Sequence, residues 1–269
     1  MPAPFPDAAA AQAFQAAQVG YLERGDVPGL LAHCYAPDAR LHAFAWRAEG
    51  HAAIGQVLTT YLARLAALGA RQVEKFATGP DYLWLELRIE QPGQPAPIRV
   101  YEVKFVRDGK IYLQLFGLRQ GTPWQPGDLA QLPAPPAATE AARAFHQRYL
   151  DYHRRGDADG LADDFFSADA RLVTGQVDVS GRPAIRQLFT DLFAREADFT
   201  PLSVQHLTSD RDYVWFEATV ASSLGQRQVY DVMLRPEGGP VSRQLVGQLS
   251  GVLPTDAAFG PAPTLLATS

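Results

Sequence analysis

Histidines, a single cysteine and the carboxylates near them are the side chains of this chain that could move protons or attack a substrate near neutral pH. His33 lies in the apolar run Leu30-Leu31-Ala32-His33-Cys34, and His42 in Arg40-Leu41-His42-Ala43. Together with Glu102 they could form an acid-base set, an imidazole exchanging the proton while the carboxylate orients it. Strand alternation weighs against this, because His42 and Ala43 must point to opposite faces. The neighbours Gln205 and His206 pose the same choice: one of them points inward, and a hydrogen-bonding core role is expected for it. Cys34 sits at a core position of a helical run, where a free thiol behaves as a small hydrophobe. No HExxH or CxxC spacing, no Gly-x-Ser-x-Gly elbow and no Gly-rich phosphate loop occurs.

The elements that must carry these residues are written twice. Tyr152 to Leu172 repeats Tyr21 to Leu41 at an offset of 131 residues, with Gly-Asp at 25–26 and 156–157 and Asp-Ala-Arg-Leu at 38–41 and 169–172. Helical spacing over 8–24 ends at Gly25, a residue suited to a left-handed C-cap. Asp26 then caps a short helix through Tyr35. Pro37-Asp38 breaks it, and Ala39 to Phe44 reads as a strand. A third helix is expected over Ala52 to Leu68, with Ile54, Val57, Leu58, Tyr61 and Leu65 on one stripe. Its partner begins at Arg182-Pro183.

Four runs of period two follow in each copy: Arg71–Thr78, Asp81–Glu90, Ile98–Val106 and Lys110–Leu118, then Leu202–Thr208, Asp212–Ser222, Arg227–Arg235 and Val241–Gly251. Asp81-Tyr82-x-Trp84-x-Glu86 is matched by Asp212-Tyr213-x-Trp215-x-Glu217. Residues 1–121 and 140–253 are therefore expected to be two domains. Between them, 122–139 holds five prolines and reads as an extended linker, and 254–269 as a flexible tail.

A net charge of −5 without a Lys/Arg cluster excludes the electrostatic footprint of a nucleic-acid binder. One cysteine permits no intrachain disulfide. With no apolar run approaching the roughly 18 residues of a membrane span and no basic leader, a cytoplasmic protein free of membrane is the expectation.

Three helices followed by a four-stranded antiparallel run, with Gly-Asp after the first helix and Asp-Ala-x-Leu at the first strand, resemble the nuclear transport factor 2-like superfamily. Ketosteroid isomerase, SnoaL-like polyketide cyclases, scytalone dehydratase and limonene epoxide hydrolase belong to it. The resemblance covers both halves. It implies an α+β fold of two cone-shaped, cystatin-like domains, each with three helices packed on a curved antiparallel sheet around an apolar pocket. It also implies sheet-to-sheet pairing, which a tandem chain could make within itself as a pseudo-dimer while remaining a monomer.

Carried over residue by residue, the resemblance places the ketosteroid isomerase tyrosine at Tyr149 in the second copy and Gln18 in the first. Its oxyanion-hole carboxyl falls at Asp231 and Glu102, and its general base at Thr174 and Ala43. Neither Thr174 nor Ala43 can take a proton usefully. Tyr149 and Asp231 remain as the catalytic pair the resemblance implies, with Gln18, His42, Glu102 and Thr174 as ligand-binding positions. The implied partner is a small apolar, cyclic or polyketide-like molecule handled by acid-base chemistry without cofactor or metal. A non-catalytic binding or interaction module is the alternative. Polyether-type epoxide hydrolysis is a further one, although the Asp-Arg-Asp set of limonene epoxide hydrolase cannot be assigned.

Overall fold

The computed structural model describes residues 4–250 other than 66, 197 and 224; the expected tail lies outside them. The chain divides into two compact units at Pro135/Pro136. Unit 1 runs α1 (Ala8–Glu23), α2 (Val27–Cys34), β1 (Tyr35–Ala43), β2 (Arg47–Glu49), α3 (Gly50–Leu65), β3 (Arg71–Thr78), β4 (Tyr82–Ile89), β5 (Ile98–Arg107) and β6 (Lys110–Gln120). Unit 2 repeats it with α4 (Glu140–Arg155), α5 (Ala158–Phe165), β7 (Phe166–Val173), β8 (Asp178–Ser180), α6 (Arg182–Arg195), β9 (Thr200–Ser209), β10 (Tyr213–Ser222), β11 (Gly225–Leu234) and β12 (Val241–Ser250). Both units are α+β, and their six-stranded sheets have one order, β2-β1-β6-β5-β4-β3 and β8-β7-β12-β11-β10-β9.

The Gly-Asp repeat does the same local work in both copies. Gly25 and Gly156 take positive φ (67° and 62°) just past the first helix, a conformation that costs a residue with a Cβ more than glycine. Asp26 and Asp157 then accept the N–H of Gly29 (2.8 Å) and Gly160 (2.9 Å), capping α2 and α5. A Cβ at Gly29 would lie 2.2 Å from the Asp26 carboxylate, and one at Gly160 2.4 Å from the Tyr152 ring. The motif is therefore Gly-Asp-x-x-Gly.

The four expected strands of each copy pair antiparallel, and the first strand, for which no partner was assigned, joins them in parallel, so each sheet is mixed. β1 pairs parallel with β6, and β7 with β12. Hairpins fix the antiparallel sense from β3 to β6, whereas β1 reaches its neighbour through a helix and four further strands. Strand β1 also begins at Tyr35, four residues before the expected start, so Pro37 falls inside it. The register breaks between Tyr35 and Arg40, and that irregularity is where a residue without an N–H is tolerated in a sheet. Cross-strand glycines repeat as well: Gly117 faces Tyr101 and Gly247 faces Tyr230, each leaving no room for a Cβ beside the phenol.

The proline-rich stretch is largely taken up by the two units. Trp124 packs against Trp46, Tyr61 and Phe116 with ring centroids 5.7–6.3 Å apart, and Leu129 is buried in the same core. The Arg64 guanidinium grips both oxygens of Asp128 and holds that carboxyl down at about 2. On the other side of the boundary, Thr139 caps α4 by accepting the Ala142 N–H (3.1 Å). Among the described residues no helix is long and apolar enough to cross a membrane.

Candidate functional site

Helix α4 and strands β11 and β12 bring Tyr149, Asp231 and Gln244 together in unit 2. Gln244 Nε2 donates to Asp231 Oδ2 (2.6 Å) and to the Tyr149 hydroxyl (2.9 Å), and the Tyr149 hydroxyl donates to the same Asp231 Oδ2 (3.4 Å). All three side chains are buried. They line a cavity of about 100 Å³ whose other walls include Leu172, Leu188, Leu192, Phe216 and Val229.

That apolar enclosure decides the protonation state. Burial pushes the Asp231 carboxyl up to about 8, although the bonds from Gln244 and Tyr149 pull the other way. Burial, and then the neighbouring carboxyl, likewise raise the Tyr149 phenol well above its ordinary value. At neutral pH both groups carry their protons. Oδ2 already accepts two donors, while Oδ1 is buried without a partner. The carboxyl proton therefore belongs on Oδ1.

Thr174 lines the same cavity, at the position where the resemblance calls for a base. Its hydroxyl accepts the N–H groups of Gln176 (3.2 Å) and Val177 (3.1 Å), so it serves the turn between β7 and β8. Asp231 is the one carboxyl among the lining residues. Arg227, the lining guanidinium, is committed to Glu196 in a buried ion pair and to Ser222 Oγ (3.1 Å). A paired acid and base of the epoxide hydrolase kind is therefore not assembled by the residues that line this cavity.

In unit 1 the equivalent positions form a different network. Lys104 Nζ lies 3.0 Å from Glu102 and donates to Gln18 Oε1 (3.1 Å) and Gln15 Oε1 (3.2 Å). Gln114, the counterpart of Gln244, donates to Glu102 (3.3 Å) and accepts from the Tyr35 hydroxyl (2.6 Å). Gln18 and Glu102 are thus joined through a lysine. Where Lys104 stands, two residues beyond the carboxyl on the same strand face, unit 2 has Met233.

The expected histidine set is not assembled. His33 is exposed on α2, its ring bonded to the Gly29 carbonyl (2.8 Å) and stacked on Tyr21, because a helical residue one turn on reaches its own helix first. His42 is buried on β1, its Nε2 3.9 Å from Glu49 across the β1–β2 pair. Gln205 and His206 are both exposed, since β9 is an edge strand whose central residues stand clear of the core. Cys34 is buried and free, as its helical spacing implied. Among the described residues no three His, Cys, Asp or Glu side chains gather as a metal ion would require.

Two cavity residues went unread in the sequence. Gln244 could have been found from the repeat, which places a glutamine before leucine in both last strands, Gln114-Leu115 and Gln244-Leu245. His153 had no such signal. In Tyr152-His153-Arg154-Arg155-Gly156 it reads as one more solvated cation at a helix C-terminus, yet its ring lies against Tyr149 (4.6 Å) and three phenylalanines.

No protein-family model matches the sequence, and no curated protein does. Solved structures do match. The epoxide hydrolase/cyclase-like enzyme SalBIII of pyran ring formation in the polyether salinomycin is 18% identical over 40% of this chain and 89% of its own, with a TM-score of 0.35. A steroid delta-isomerase from Pseudomonas aeruginosa is 16% identical over 41% and 81%, with a TM-score of 0.34. A SnoaL-like family protein from Agrobacterium tumefaciens is 13% identical over 41% and 98%, with a TM-score of 0.37. Each match covers about two-fifths of this chain, whose two units each hold a six-stranded sheet of one order.

Proposed function

We propose that unit 2 binds a small, largely apolar cyclic or polyketide-like molecule through an oxygen atom placed on the Asp231 proton, and polarises that oxygen for cofactor-free acid-base chemistry of the cyclase or isomerase kind. The observation that carries this reading is a carboxyl held by Tyr149 and Gln244 at the wall of an otherwise apolar cavity, where burial keeps it protonated at neutral pH. Such a donor strengthens its bond as negative charge develops on a carbonyl oxygen, which is the condition for lowering a barrier rather than only tightening binding. Its acidity is matched to the task, because a group titrating near 8 is protonated at neutral pH and still gives up its proton readily.

The size of the cavity limits the ligand. About 100 Å³ is less than the roughly 150 Å³ of an engineered cavity that takes up benzene, so a polyketide-like molecule can seat only one end in it and must extend beyond it. Binding without turnover is the second reading, and Thr174 favours it: with its hydroxyl held by two backbone N–H groups, the protein offers no base at that wall.

Native mass spectrometry of the purified protein, followed by incubation of any released ligand with fresh protein, separates the two. Conversion supports chemistry, and release unchanged supports binding. Asp231→Asn sharpens the result, since loss of an oxyanion donor costs about 10² to 10³ in turnover and far less in affinity for the unreacted ligand.

A further inference from the structure

Arg227 brings to the cavity wall a positive charge for which the chemistry proposed above has no use. Arg227, Val229 and Asp231 are alternate residues of β11 and line the cavity one after another. Beyond Asp231 this wall is closed by Met233, which is buried in the unit 2 core. At the other end Arg227 stands close to Gly225, the exposed first residue of the strand. A molecule too long for the cavity therefore leaves it past Arg227.

One carboxylate holds the guanidinium there. Glu196, the C-cap residue of α6, accepts from Nη2 in an ion pair whose side chains are only 6% and 2% exposed, and Ser222 Oγ accepts from Nη1 (3.1 Å). Neither the helix nor the fold calls for this pair. A negative charge at a helix C-terminus opposes the helix dipole, and a buried ion pair is often no more stabilising than apolar residues of similar volume. Unit 1 has made that exchange. At the repeat offset of 131 Leu65 stands for Glu196, and Ile98, which faces Ile89, stands for Arg227, which faces Val220. The same sheet order forms without the charges.

Taking unit 2 as the ligand site proposed above, we infer that Arg227 selects the ligand: an elongated molecule whose carbonyl end enters the cavity towards Asp231 and whose other end bears a carboxylate that replaces Glu196 on the guanidinium. Arg227 already binds a carboxylate, so like replaces like. Arg195 and Asp198, on either side of Glu196, are exposed, and the displaced side chain has only a short way to water. Four residues of strand, about 13 Å, separate Asp231 from Arg227 and set the length of the molecule.

Calorimetric titration of the full chain at neutral pH with 6-oxoheptanoate, 8-oxononanoate and 10-oxoundecanoate, and with the methyl ester of each, tests this. The acid of best-fitting length should bind about tenfold more tightly than its ester, less than a free guanidinium would give because Glu196 must be displaced. Glu196→Gln removes the competitor and should raise the affinity of the acid about tenfold further, with the ester changed by less than about twofold. Glu196→Leu combined with Arg227→Ile installs the unit 1 residues; the acid should then lose its advantage while the ester binds as before, which also reports that the variant is folded. If no acid exceeds its ester in the unmodified protein, if Glu196→Gln leaves the acid unchanged, or if the advantage survives in the double variant, the inference fails while ester binding keeps the pocket. If neither acids nor esters bind, the ligand site in unit 2 falls with it.

Discussion

The two units hold a carboxyl at the same place on the same strand, beside the same glutamine, and put it to opposite uses. In unit 1 Glu102 lies 3.0 Å from Lys104, and the pair ties β5 to Gln15 and Gln18 of α1. In unit 2 the lysine position is Met233, the Gln18 position is Tyr149, and Asp231 has no cation bonded to it. A cation nearby stabilises the charged carboxylate, whereas an apolar enclosure favours the neutral acid. One lysine-for-methionine difference therefore separates an internal structural tie from a proton donor facing a cavity. Within one fold, function follows the two or three side chains around a carboxyl and not the carboxyl itself.

Removing the titration at Asp231 should give the largest effect. Its folded value of about 8 lies above the ordinary carboxylate range, so the native state holds a proton that the unfolded chain has already released. The stabilisation is complete below about pH 4 and is lost as pH rises towards 8, at about 1.4 kcal/mol per pH unit and several kcal/mol in all. Urea denaturation should therefore show unit 2 weaker at pH 8.5 than at pH 5. In Asp231→Asn, which has nothing to titrate there, most of that difference should vanish. An unchanged pH dependence would mean that Asp231 is ionised in the native state and that the two units do not differ as described.

Exchanging the distinguishing residue is the next test. Lys104→Met leaves Glu102 without its cation and should cost unit 1 about 3 kcal/mol, the low end for breaking a buried pair because Glu102 keeps some contact with solvent. Adding Glu102→Gln should recover most of the loss, since a neutral amide needs no counter-charge. The reverse exchange, Met233→Lys, should draw the Asp231 titration below neutrality, as followed by carbon NMR of the carboxyl. If Lys104→Met costs nothing, the ion pair is not what closes unit 1.

What could be read from the sequence depended on how local each feature is. Gly25-Asp26 and Gly156-Asp157 carried both helix boundaries because caps are made within four residues. The Tyr149 and Asp231 positions came from the resemblance to ketosteroid isomerase, and the repeat supplied only the frame onto which they were carried. The parallel pairing of β1 with β6 was not, since it joins segments some seventy residues apart with no turn to fix their sense. Trp124 and Leu129 were averaged into a proline-rich linker, although each contributes an apolar side chain to the unit 1 core. His153 was hidden by its charged neighbours, for a helix face is set by what packs on it. Lys104 read as a strand residue of no account, and only its distance to Glu102 shows what it does.

The smallest expected effect bears on Tyr149. Read against ketosteroid isomerase it would donate directly to a ligand, but here its proton goes to Asp231 Oδ2 and its lone pair accepts from Gln244, so it sits behind the carboxyl. Tyr149→Phe should cost about 1 kcal/mol of stability, one modest hydrogen bond. It should also move the Asp231 titration further up, because a donor to the ionised form is lost. Turnover of the ligand released in native mass spectrometry should change by less than about threefold, well short of the loss in Asp231→Asn. Gln18→Leu, at the matching place in unit 1, removes one of the contacts of Lys104 and leaves Glu102 and Gln15 in position, so ligand binding should not respond at all. A loss for Tyr149→Phe as large as for Asp231→Asn would make the phenol a direct donor. A loss for Gln18→Leu would move the ligand site into unit 1.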